Sequence, residues 1–178
     1  VYKRQVGQYT QTITPDDSLP QVSGRFFGRS GILADMAAQL AAAGGVLTLQ
    51  GIGGVGKTRL ALQHARREAA SYPGGRWFVD LAQITDEGTI RAQVARALHL
   101  MTHSPSAEQL GTSLAARGRC LLVLDNAEQV REPVAALLAA WVPAAPQARF
   151  LVTSRIALGL PDERCLTCLL YTSDAADE

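Results

Sequence analysis

The chain has 178 residues, 47% of them apolar and 6% aromatic, with a formal charge of +1 at pH 7. That is enough apolar material for one domain with a core built mainly of Ala, Leu and Val. The near-balance of charge makes no electrostatic demand for nucleic acid or an anionic membrane as partner. No apolar run approaches the ~18 residues of a membrane span, and a cytoplasmic location is the expectation.

The two ends read as foreign. Residues 1–5 (VYKRQ) resemble the translation of a transposon end used in preparing sequencing libraries, and residues 168–178 (CLLYTSDAADE) resemble its opposite strand. Both are expected to add nothing to the fold. A C-x-x-C formed by Cys165 and Cys168 then has one member in the foreign tail and no second pair, which argues against a zinc or redox site. Cys120 opens an apolar run and reads as a buried thiol. Between residues 6 and 167 the only lysine is Lys57, amid many arginines.

Residues 6–24 are polar and turn-rich and read as a linker or extended arm. Ile32, Leu33, Met36, Ala37 and Leu40 recur at helical spacing over 30–43, before a Gly44-Gly45 stop. Residues 46–50 form a short strand, followed by a glycine-rich loop and a helix from about 58 to 70. A Pro-Gly-Gly turn leads to a second strand at 76–81, rich in aromatic and β-branched residues. Helices follow at 87–100 and 106–117. Residues 120–125 form a continuous apolar run ending in a carboxylate, as suits a strand covered on both faces. A helix at 129–140 and a strand at 149–154 complete the pattern. Strands alternating with helices predict an α/β fold with a parallel sheet and right-handed crossovers.

Residues 51–58 (GIGGVGKT) match G-x-x-x-x-G-K-[ST], the Walker A phosphate loop. Its glycines, Gly51, Gly53, Gly54 and Gly56, let the backbone around Val55 fold into a nest of N–H groups aimed at phosphate oxygens. The helix that follows presents its positive end to the same anion. Lys57 can reach the β- and γ-phosphates, and the Thr58 hydroxyl can ligate Mg²⁺. The loop therefore predicts binding of ATP or a close relative with Mg²⁺.

Asp125 ends an apolar strand, where it can hold the Mg²⁺ or cap the next helix. Glu128 can polarise an attacking water or favour a helix dipole. Asn126 stands where many proteins of this class place a second acid, which predicts slow hydrolysis. Arg155 follows the strand 149–154. Ligands of open parallel sheets lie beyond the strands' carboxyl ends, so Arg155 can face the γ-phosphate or cover the strand end. Residues 25–29 (RFFGR) suit either a purine contact or an aromatic anchor for the linker.

The order F-x-G-R, helix, L-x-G-x-G-G-V-G-K-T-R-L-A, W-F-V-D-L-A, L-L-V-L-D-N-x-E and T-S-R resembles the NB-ARC-type STAND ATPases. It is most similar to the nucleotide-binding modules of large bacterial regulators of the LuxR and SARP-associated kind. The resemblance spans roughly residues 27–161. It implies a P-loop NTPase three-layer sandwich, with helices on both faces of the sheet. It implies an adenine pocket at Phe27, Gly28 and Arg29, phosphate and Mg²⁺ contacts at Lys57, Thr58 and neighbouring Arg59, a Mg²⁺ aspartate at Asp125 and a γ-phosphate sensor at Arg155. Ser30 stands where that family commonly places Glu.

The expected domain covers residues 25–167 and lacks the helical and winged-helix parts that follow the sensor strand in such proteins. The expected function is a regulatory ATP/ADP switch with slow Mg²⁺-dependent hydrolysis, serving sensor and output domains of a longer protein. A nucleotide-dependent oligomer fits this reading, whereas direct nucleic-acid or membrane contact by this domain is not expected. The alternative is an AAA-type motor or loader with active hydrolysis.

Overall fold

The computed structural model describes residues 17–21, 29–42 and 45–168. The strands are β1 (Asp17–Ser18), β2 (Val46–Gln50), β3 (Arg76–Asp80), β4 (Leu121–Asp125), β5 (Arg149–Ser154) and β6 (Arg164–Thr167). The helices are α1 (Ser30–Ala41), α2 (Lys57–Arg67), α3 (Glu87–Ala97), α4 (Ala107–Ala116) and α5 (Arg131–Ala144). The strands form one parallel sheet in the order β1-β3-β4-β5-β2-β6.

Alternation along each strand divides the core in two. Leu47 and Leu49 of β2, Leu121 and Val123 of β4, and Leu151 of β5 face α1 and α2, where they meet Met36, Leu40, Leu60 and Ala61. Val46, Trp77, Val79, Leu122, Leu124, Phe150 and Val152 face the opposite way, against Ile90, Leu110, Leu138 and Trp141. The sheet is thus covered on both sides, which is why β4 could be apolar at every interior position. This is the three-layer α/β sandwich.

The helices have legible local causes. Asp86 accepts the backbone N–H of Thr89 at the start of α3, and Ser106 and Gln109 form a reciprocal capping box at the start of α4. The helix predicted over 129–140 differs. Residues 127–130 form a tighter 3₁₀ turn, and α5 continues to Ala144 with Pro143 in its last turn. The helix predicted to residue 100 stops at Ala97, because His99 adopts a left-handed conformation with φ 54°.

Two strands lie outside the four predicted. Asp17–Ser18, inside the stretch read as a linker, pairs with β3, and Asp17 accepts from the Arg76 backbone and guanidinium. β6 pairs with β2. Cys168, the first residue assigned to the foreign tail, is buried and donates its N–H to Gln50 O at 2.7 Å. The expectation of no contribution does not hold at that residue, because a backbone amide at the end of a ladder pairs whatever its side chain. Cys165 is exposed while Cys168 is buried. Residues 1–5 and 169–178 lie outside the described residues. Among the described residues no helix is long and apolar enough to cross a membrane.

Candidate functional site

The loop between β2 and α2 is shaped by its glycines. Gly54 and Gly56 have φ of 79° and 90°, a left-handed backbone that side chains with a Cβ rarely adopt. These turns carry the chain around the N-terminal end of α2, with Val55 buried as the loop's anchor. The Lys57 ammonium lies over the loop, donating to the carbonyls of Gly51 at 2.7 Å and Ile52 at 2.9 Å. Arg29, just before α1, also reaches the loop and donates from Nη2 to Val55 O at 2.9 Å. Arg59 is half-buried on α2. Phe27 and Gly28 lie outside the described residues.

The strand alternation that sorts the core also builds the polar site. Asp125 shares its face with Leu121 and Val123, so it points toward α2, and the Thr58 hydroxyl lies 2.8 and 2.9 Å from its two oxygens. β4 and β5 run in register, with Leu124 beside Val152. The next pair along places Thr153 at Asp125, where its hydroxyl donates at 2.5 Å. Asp80 sits beside Asp125 on β3. Asn126, left-handed with φ 61°, closes the group. Its amide Nδ2 lies 3.0 Å from both Asp80 Oδ1 and Asp125 Oδ2, and its backbone N–H donates to the Thr153 hydroxyl.

Asp125 is 2% exposed. Burial pushes its carboxyl above the ordinary carboxylate range; the hydrogen bonds from Thr153 and Thr58 oppose this, and the charges of Asp80 and Glu128 add to it. A divalent cation beside Thr58 would reverse that balance by stabilising the carboxylate.

Glu128 and Arg155 meet across the mouth of the site. Arg155 Nε lies 3.8 Å from Glu128 Oε1. A Cβ built on Gly53 would come within 3.3 Å of Arg155 Nη2, so the guanidinium rests against the middle of the loop. The structure therefore brings Lys57, Thr58, Asp125, Glu128, Arg155 and Arg29 to one end of the sheet.

Sequence reading singled out neither Asp80 nor Thr153 as a site residue. Half of the signal was available: the alternation was legible, although the register that brings the three strand ends together was not. Each is the last residue of its strand, or the last but one, on the same alternating face as Asp125. A groove of about 610 Å³ between β3 and α3, lined by Gln83, Thr89, Gln93 and Arg96, touches this polar site only at Asp80.

The residues present fit a Mg²⁺–nucleotide. The loop has the left-handed glycines a phosphate nest needs, a lysine at its mouth, and a hydroxyl and a carboxylate within 3 Å of one another where the cation belongs.

No protein-family profile matches the chain. The chain is 41% identical over 120 residues to Rv0890c of Mycobacterium tuberculosis, assigned by name to the HTH-type transcriptional regulators; the match covers 66% of this chain and 13% of that protein. It is 33% identical over 165 residues to the regulatory protein AfsR of Streptomyces coelicolor, covering 83% of this chain and 16% of AfsR. The fold matches the crystal structure of a STAND protein with a tetratricopeptide repeat sensor, PH0952 from Pyrococcus horikoshii, with a TM-score of 0.61 and 20% identity over 88% of this chain and 25% of that one. The chain thus spans 13% of Rv0890c, 16% of AfsR and 25% of PH0952, and its fold is the three-layer α/β sandwich shared with PH0952.

Proposed function

We propose that the chain is an ATP/ADP-binding regulatory switch module of the STAND type, serving a larger signalling or transcription-regulatory protein. The observation that carries this reading is the meeting of Thr58 and Asp125 at 2.8 Å beside a glycine loop whose mouth holds Lys57. A hydroxyl and a carboxylate so placed, next to a lysine, would suit a divalent cation held beside phosphates.

In this reading Lys57 binds the β- and γ-phosphates, and the loop N–H groups orient them. Thr58 and Asp125 would hold a Mg²⁺, which when bound would supply charge neutralisation to the phosphates. Thr153 and Asn126 fix the Asp125 carboxylate. Glu128 orients a water, Arg155 senses the γ-phosphate, and Phe27, Gly28 and Arg29 line the adenine. Hydrolysis is slow because residue 126 is an amide, which cannot take a proton as a second acid would.

The similarity to Rv0890c, AfsR and PH0952 supports a module whose sensor and output domains belong to the same full-length protein. A switch requires two global states that ATP and ADP stabilise unequally. We assign the second state to partner domains beyond residues 25–167. The module alone then binds nucleotide weakly, at roughly micromolar Kd or poorer (about −8 kcal/mol or less favourable), with little preference between ATP and ADP. Calorimetry of the chain with each nucleotide, beside a chain extended into the natural sequence, tests this. A large ATP/ADP difference already present in the short chain refutes the assignment.

A further inference from the structure

We propose that Glu128 is a specificity-determining residue that acts through Arg155. It holds the guanidinium that a terminal phosphate would take, and so weakens a nucleoside triphosphate relative to a diphosphate. The inference rests on the nucleotide-site reading above.

Three observations carry it. Arg155 is the first residue beyond β5, and its side chain is 66% exposed, so packing does not fix it. What positions it is charge. Its Nε faces Glu128 Oε1 at 3.8 Å, and its Nη2 rests against Gly53, in the middle of the phosphate loop. Glu128 is the opposite case, with a side chain only 22% exposed on the 3₁₀ turn after β4. Its Oε2 is buried and accepts no hydrogen bond among the described residues. Asp125, whose carboxyl feels the charge of Glu128, gives it no cationic relief. The carboxylate therefore depends on Arg155 for compensation, because an anion left buried and unpaired is costly.

The two nucleotides differ in what they ask of this pair. A triphosphate carries its outermost phosphate to the loop and competes for the guanidinium. If Arg155 turns to it, Glu128 loses its partner. A diphosphate stops one phosphate short and leaves the pair intact. The cost thus falls on the triphosphate alone. A partly exposed ion pair is worth a fraction of a kcal/mol to about one, which sets the expected discrimination at about two- to fivefold.

The test measures the ratio of affinities for ADP and for the non-hydrolysable β,γ-imido analogue of ATP, both with Mg²⁺, on the full chain. Glu128→Gln, which keeps shape and removes charge, is expected to shift the ratio toward the triphosphate by about two- to fivefold. Glu128→Ala should shift it the same way, and neither should shift it in an Arg155→Ala background. If the unaltered chain binds neither nucleotide, the nucleotide-site reading falls and this inference with it. Retained binding with a ratio that both Glu128 variants leave unchanged, or a shift equally large without Arg155, overturns the inference alone.

Discussion

Acid should loosen the helix that carries the phosphate loop, through one buried histidine. His64 lies on α2 and is 1% exposed. Its Nε2 is 3.0 Å from the Tyr72 hydroxyl, and its Nδ1 has no hydrogen-bond partner among the described residues. Burial lowers its pKa from 6.5 to about 4, while the Glu68 carboxylate pulls weakly the other way. The fold therefore prefers the neutral imidazole. The stability it contributes is complete above the unfolded value of 6.5 and is lost as pH falls toward 4. The full displacement corresponds to about 3.4 kcal/mol, of which about 2 kcal/mol is lost between about pH 7.5 and pH 5. Urea unfolding at these two pH values gives the loss directly. Other groups titrate in the same range, so His64→Gln, which cannot titrate, supplies the reference. We expect the unaltered chain to lose about 2 kcal/mol more than the variant. Equal losses in the two proteins would refute the argument from burial.

Asp125→Ala should lower nucleotide affinity roughly tenfold or more in Mg²⁺ and leave it little changed in EDTA, because in the proposed reading the carboxylate acts on the cation; competition with a fluorescent nucleotide under both conditions checks this. ATP should bind more tightly than GTP, since the sequence has no N/T-K-x-D guanine-reading motif, and titration with both decides it. Of the three cysteines, only Cys165 is exposed. Burial pushes the Cys120 thiol up to about 11 and raises that of Cys168, and burial with the Glu163 carboxylate raises that of Cys165 too, so access rather than thiolate character separates the three. Alkylation of the native protein at neutral pH should therefore label Cys165 first, as read by mass spectrometry.

The parts of the fold visible in the sequence were those with a local cause. The glycine loop, the apolar run of β4 and the aromatic-rich β3 each announce themselves within a few residues. β6 did not, because Arg164–Thr167 is an edge strand of mixed polarity whose only reason to be extended is the free side of β2. β1 is two residues long and is held by Arg76, a residue distant in sequence. The polar site divides in the same way. Lys57 and Thr58 belong to a fixed spacing, and Asp125 ends a conspicuous run. Thr153 and Asp80 become site residues only once β3, β4 and β5 lie in register, which no local pattern states. Asn126 stood out in the sequence as a missing acid. Its bridge between Asp80 and Asp125 needed the left-handed turn at φ 61° to become visible.

The central claim is that this loop holds a nucleotide through Lys57. Isothermal titration of ATP with Mg²⁺ into the chain and into Lys57→Ala tests it most directly. The ammonium makes charge-assisted contacts worth about 1.5–3 kcal/mol each, so its loss should weaken binding roughly tenfold to a hundredfold, with or without Mg²⁺. No binding by the unaltered chain, or equal affinity in the two proteins, would contradict the account.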